Sequence, residues 1–179
     1  KRGRKALIEL EKRGLACDHI TVSQDETTGY VKARVDQDGV ATYTFPDHVA
    51  WDNIMLHEST RSLAKNLDAI CFGSLAQRSA QSREVIQSFL QSVPKETLKV
   101  FDLNIRQQFY TENTITASLE IADVLKINDE ELVLLAAMYG LQGNDNTILE
   151  YLIKICNLQL AVLTRGGAGS LLVTPTECS

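Results

Sequence analysis

The chain has 179 residues, of which 44% are hydrophobic and 23% charged, proportions of an ordinary soluble globular protein and a length that suits about one domain. Its 10 glycines and 3 prolines are scattered, which excludes collagen-like, low-complexity and disordered classes. The balance of 18 basic to 23 acidic residues leaves a net charge of −5; this argues against a nucleic-acid-binding protein, while a local anion pocket remains open.

No apolar run approaches the roughly 18 residues needed to span a membrane; the longest is Leu132 to Tyr139. The cysteines (Cys17, Cys71, Cys156 and Cys178) form no Cys-x-x-Cys pair, which fits a reduced, cytoplasmic protein. Cys71 and Cys156 have apolar neighbours and are expected to act as small core hydrophobes. His57-Glu58 begins like a zinc-peptidase helix, but Arg61 stands where the second histidine belongs, so zinc hydrolysis is excluded.

In chain order, Lys1-Arg2-Gly3-Arg4-Lys5 is basic without the apolar segment of a signal peptide. Ala6 to Glu11 follows with helical spacing, and Gly14 is its expected stop. A beginning in mid-helix without Met, and an end in a loop after Leu171-Leu172-Val173, read as a piece of a longer chain. Ile20–Ser23, Gly29–Val35 and Val40–Phe45 are predicted strands. Asp36-Gln37-Asp38-Gly39 supplies the glycine of a hairpin turn. One face of this hairpin is polar, which places it partly in solvent. Pro46 ends it, Trp51–Leu56 is predicted as a short helical connector, and Trp51 is expected to anchor a core or interface.

From residue 68 apolar strands alternate with amphipathic helices. Strands are predicted at Ala69–Gly73, Leu98–Asp102, Asp123–Ile127, Leu160–Thr164 and Ser170–Val173. Helices are predicted at Ser79–Ser92, Thr114–Ile121, Asp129–Tyr139 and Thr147–Asn157. This alternation implies an α/β fold, a mostly parallel sheet with helices on both faces. Right-handed crossovers then bring the carboxyl ends of the strands to one rim, where ligands bind in such sheets. Polar or glycine-bearing segments follow four strands: Gly73-Ser74, Asp102-Leu103-Asn104-Ile105-Arg106, Asn128-Asp129-Glu130-Glu131 and Thr164 to Gly169.

Each segment has two readings. Thr164-x-Gly166-x-x-Gly169 can form an anion nest with a threonine donor or a plain tight turn; a strand follows it, so it is not the dinucleotide fingerprint, and a dehydrogenase is disfavoured. Asn128-x-x-Glu131 can hold hydrated Mg²⁺ or a phosphate oxygen, or form a capping box. Asp102, Asn104 and Arg106 alternate, so an extended segment points all three one way, as a hydroxyl-reading and phosphate-clamping set or a loop with an internal Asp–Arg pair. Arg78 joins that set or marks a solvated helix start, and Glu130 is expected to face solvent.

These segments, in this order, resemble the ribokinase/PfkB family of sugar kinases. Thr28-Gly29-Tyr30 followed by Ala50-Trp51-Asp52 looks most like fructokinase-type members. The resemblance implies a Rossmann-like ribokinase fold whose kinase domain takes in residues 1–19 and 47–179, with a β-lid over residues 20–46. It implies Mg²⁺-dependent transfer of the γ-phosphoryl group of ATP to a small sugar, fructose first. Matched residue by residue, Asn128 and Glu131 fall on the motif tied to phosphate and Mg²⁺, and Thr164, Gly166 and Gly169 on the nucleotide turn. Asp102, Asn104 and Arg106 fall near the sugar and the moving phosphate, with Arg106 in the catalytic role. Gly29 and Tyr30 match the lid edge, and Arg78 is a further expected sugar contact. The family's amino-terminal di-glycine sugar segment and its Gly-Ala-Gly-Asp motif, with the catalytic-base aspartate, have no match here; Ser170 stands where that aspartate would be. The expectation is therefore a fragment inactive alone, from a parent that dimerises through the lid and binds neither nucleic acid nor membrane. Acidic sugars such as 2-keto-3-deoxygluconate, nucleosides, and a non-catalytic nucleotide-binding module are the alternatives.

Overall fold

A computed structural model of the chain describes residues 1–37, 39 and 41–177. Asp38 of the predicted turn, Val40 at the start of a predicted strand, and Cys178 lie outside the described residues. The main sheet is built from β3 (Ala69–Gly73), β4 (Leu98–Asp102), β5 (Val124–Asn128), β6 (Leu160–Thr164) and β7 (Ser170–Val173), in that spatial order. β3 to β6 are parallel and β7 returns antiparallel to β6. Strand order follows chain order without reversal, so right-handed crossovers carry α3 (Ala80–Ser92), α4 (Glu112–Leu119), α5 (Asp129–Tyr139) and α6 (Asp145–Cys156) over one face, where the strand–helix alternation alone suggests helices on both.

Alternation along the strands defines that face. Phe101, Leu125, Ile127, Ala161, Leu163 and Val173 point to it and pack on Ile115, Leu119, Leu135, Leu149 and Leu152 in one buried cluster. Each large side chain so buried is worth about 1.5–3 kcal/mol. The helices begin where side chains satisfy their first amides: Ser79 Oγ accepts from Ser82 N–H at 3.1 Å, Thr111 Oγ1 from Thr114 N–H at 3.1 Å and Asn144 Oδ1 from Thr147 N–H at 3.0 Å. Those caps start α4 and α6 two residues before their predicted beginnings.

Ahead of the sheet lie α1 (Arg2–Lys12), the hairpin of β1 (Lys32–Val35) and β2 (Ala41–Thr44), a 3₁₀ turn at Ala50–Asn53, and α2 (Glu58–Ala64). The strand predicted at Ile20–Ser23 does not form. Ser23 Oγ accepts from Asp25 N–H and Glu26 N–H at 3.2 and 3.0 Å, a local turn that competes with pairing. Gly29–Val35 shortens to β1, and Thr27, ahead of the predicted strand, makes an isolated bridge to Val49. Glu130 is exposed as expected, but Cys71 is exposed too. β3 is an edge strand, and Cys71 lies on the side opposite the α3–α6 core. No helix among the described residues is long and apolar enough to cross a membrane.

Candidate active site

Register aligns the carboxyl ends of the parallel strands. Gly73 pairs with Asp102, Asn128 with Thr164, and Thr164 with Ser170 at the start of β7. Hydrogen bonds then tie the segments beyond the strands into one edge. Ser74 donates from N–H and from Oγ to the Leu103 carbonyl, at 3.2 and 2.6 Å. Leu103 N–H donates to the Lys126 carbonyl at 3.0 Å, and Thr164 Oγ1 donates to the Ile127 carbonyl at 3.1 Å.

Glu131 is the knot of this edge. Asn128 Oδ1 accepts from Glu131 N–H at 2.9 Å, and Glu131 Oε2 accepts from Asn128 N–H at 3.0 Å, a full capping box. Its other oxygen, Oε1, accepts from Ile105 N–H at 2.7 Å. One carboxylate, only 4% exposed, therefore fixes the start of α5 and the segment that carries Asn104 and Arg106.

Within that segment the internal Asp–Arg pair is absent. Asp102 takes both carboxylate oxygens to Lys126 Nζ, at 3.0 and 2.9 Å, across β4 and β5. Arg106 donates to the carbonyl of its own neighbour Ile105 at 2.8 Å and has no acidic partner among the described residues. Asn104 adopts φ +47° and Gln107 φ +50°, left-handed values that cost a non-glycine residue energy and gather at functional sites. The turn after β6 holds Gly166 at φ +53° and Gly169 at φ +89°, with open space where a Cβ would stand on either. Its Arg165, Ala168 and Gly169 amides are bonded inside the turn. Arg165 Nη2 donates to Asp145 Oδ2 at 2.7 Å.

Asp102, Asn104, Arg106, Asn128, Glu131, Thr164, Gly166 and Gly169 thus lie along one edge. Arg78 belongs to a different cluster. Its Nε and Nη2 donate to the two oxygens of Asp52, each at 2.6 Å, and Nη2 also donates to the Pro46 carbonyl at 2.6 Å. The ion pair is buried, with side-chain exposures of 7% for Arg78 and 11% for Asp52. Burial alone would raise the Asp52 pKa; hydrogen bonds from Arg78 and Val49, with the charges of Arg78 and His48, outweigh it and hold the carboxyl below its ordinary range.

Gly29 and Tyr30, expected at the edge of a lid, lie ahead of β1. A Cβ on Gly29 would overlap the Trp51 ring, so any larger residue there would have to displace that ring. Tyr30 lies between cations, 4.2 Å from the Arg2 guanidinium and 5.7 Å from Lys32 Nζ. No hydrogen bond joins Gly29 or Tyr30 to the edge among the described residues. A cavity of about 370 Å³ opens at the Arg78 cluster, lined by Asp47, His48, Asp52, Arg83, Phe109 and Tyr110; none of the edge residues lines it. Sequence reasoning passed over Lys126 and Phe109, and named Asp52 only within the fructokinase-like segment Ala50-Trp51-Asp52, not as a partner of Arg78. A lysine inside an otherwise apolar β5 was a signal; Asp52, 26 residues from Arg78, gave none.

The architecture, with polar segments gathered beyond the carboxyl ends of its parallel strands, is that of the α/β sheets in which ligands bind at such an edge. The sequence matches the pfkB family of carbohydrate kinases over residues 1–179, and the chain belongs to that family. It is 23% identical over 139 residues to the sugar kinase PH1459 of Pyrococcus horikoshii, an alignment covering 74% of this chain and 44% of that protein. Among solved structures, fructokinase from Xylella fastidiosa with bound ATP superposes with a TM-score of 0.81 at 20% identity, over 99% of this chain and 56% of that one. Fructokinase from Vibrio cholerae with fructose, ADP and calcium gives 0.79 at 22%, over 99% and 57%. At these identities the structural likeness speaks to the fold. The chain spans less than half of the curated relative and under three fifths of these structures.

Proposed function

We propose that the protein carrying this chain transfers the γ-phosphoryl group of ATP to a hydroxyl of a small sugar, with fructose the first candidate. The observation that carries this reading is Arg106, a guanidinium with no acidic partner among the described residues, on the edge that holds Asn128 and the Thr164–Gly169 turn. An unpaired arginine there can neutralise charge on a moving phosphoryl group, the electrostatic work that dominates such transfers. Fructose is preferred because Thr28-Gly29-Tyr30 and Ala50-Trp51-Asp52 resemble fructokinase-type members. An acidic sugar would call on Arg78, whose charge Asp52 already balances.

The open turn of Gly166 and Gly169, beside the Thr164 hydroxyl, suits a nucleotide phosphate. Asp102 and Asn104 would read sugar hydroxyls, and Gly29 and Tyr30 would form the near edge of a lid over residues 20–46 that excludes water when it closes. Among the described residues no three acidic, histidine or cysteine side chains converge to cage a metal. That fits Mg²⁺, which binds mainly through phosphates and water with one or two carboxylates. Glu131, with one backbone bond on each oxygen, and Asn128 would face it through water. When bound, Mg²⁺ supplies positive charge to the phosphates. The proton of the sugar hydroxyl would pass to a carboxylate outside these 179 residues.

Arg106→Ala in the full-length protein should lower sugar-dependent ADP release by roughly 10²–10³ in kcat, by analogy with a lost oxyanion donor. Unchanged kcat and KM would remove Arg106 from the mechanism. Residues 1–179 alone should release no ADP in response to sugar; turnover by them would contradict the outside base.

A further inference from the structure

We propose that Arg78 is a positioning residue: its guanidinium couples the foot of the lid to the segment carrying Arg106, so that the two sides of the sugar cleft move together. The guanidinium grips the foot through both oxygens of Asp52 and the Pro46 carbonyl, all at 2.6 Å. On its other side it meets the Phe109 ring at 4.5 Å, with the Trp51 ring at 5.4 Å. Phe109 in turn donates its N–H to the Arg106 carbonyl at 3.2 Å. An unbroken series of contacts therefore runs from Pro46 and Asp52 to Arg106, through one planar cation.

Three further features fit a coupling device better than a plain stabilising pair. A buried ion pair is a poor source of net stability, because desolvation offsets its attraction. Both ends of the series carry left-handed backbone at non-glycine residues: His48 at φ +53° in the foot, Gln107 at φ +50° two residues before Phe109. Finally, the buried Nη1 of Arg78 has no hydrogen-bond partner among the described residues, and it stands 4.0 Å from Asp47 Oδ1. A small inward movement of the foot would make that bond, so the pair is built to tighten.

The chemistry requires arginine. Lysine could keep the charge opposite Asp52, but it lacks the fork that holds both oxygens and the flat face that stacks on Phe109. The test uses Arg78→Lys and Phe109→Leu in the full-length protein, two variants that leave Asp52 a cation. Its kinetic half rests on the sugar-kinase reading above; its exchange half does not. In both variants, amide hydrogen exchange should quicken together in residues 45–53 and 104–110, and the sugar KM should rise about tenfold, some 1.4 kcal/mol, while the ATP KM holds. Quicker exchange in only one of the two segments overturns the coupling. So does joint quickening with the sugar KM unmoved, since that describes a merely structural pair. If the unmodified protein turns over no sugar, the kinase reading falls and the coupling is judged on Phe109→Leu, which leaves the Arg78–Asp52 pair in place: joint quickening in that variant upholds it, and separate quickening overturns it.

Discussion

Asp52 is 8% exposed and accepts from Val49 N–H at 3.1 Å as well as from Arg78. Burial would favour its protonated form; the hydrogen bonds and the neighbouring positive charges prevail and depress its pKa. The Arg78 pKa is raised, first by its hydrogen bond to Asp52, so the arginine stays charged throughout. A carboxyl with a depressed folded pKa contributes stability that is present above its unfolded value, about 3.9, and disappears as pH falls through the folded value. Asp52→Asn should therefore melt below the parent protein at neutral pH, and the gap should close in acid, beginning near pH 4. Thermal melts of both proteins from pH 7 downward check this. A gap that persists undiminished at the acid end would mean that Asp52 acts through shape and not charge. The pairing also explains why Arg78 reads so differently in sequence and in space. Beside Ser79, at a helix start, it looks like a solvated cation; its partner lies across the chain, in a connector that periodicity cannot orient.

Elements with strong local signals were legible. β3, β4, β6, β7 and α5 fall within their expected bounds, because contiguous apolar runs and glycine or polar stops are properties of neighbours in sequence. The capping box of Asn128 and Glu131 was one of two open readings, and it forms. What neighbours cannot reveal is the bond from Glu131 to Ile105, across 26 residues. Nor can they reveal that Ile20–Ser23 finds no strand to pair with. The long bond has a consequence for the edge as a whole. Glu131→Ala removes an N-terminal partner of α5 and leaves a half-buried amide at Ile105 without its acceptor, a change that costs about 1–3 kcal/mol. Denaturant unfolding should show that loss, and the Ile105 amide should exchange much faster than in the parent protein. If Ile105 keeps its protection, Glu131 does not hold the Arg106 segment, and the capping box is its whole structural role.

Among the described residues the hairpin strands are exposed and gain little such support from the body of the molecule. All four residues of β1 are exposed, as are Thr42, Tyr43 and Thr44 of β2, so both faces of the ribbon meet solvent. An isolated two-stranded hairpin is marginal in water, and its unpaired edges invite another strand. Its apolar content points the same way: Val31 is 48% exposed, Tyr43 52% and Val35 63%, too much for a ribbon meant to remain alone. A second copy of the same hairpin offers a self-complementary cover, the arrangement a two-fold dimer requires. We therefore expect the full-length protein to sediment as a dimer, and Val35→Lys with Tyr43→Lys to shift it toward monomer while the sheet keeps its cooperative melt. A parent protein that sediments as a strict monomer at every accessible concentration would leave the hairpin uncovered and end the lid-to-lid proposal. A dimer indifferent to both substitutions would place the contact elsewhere on the molecule.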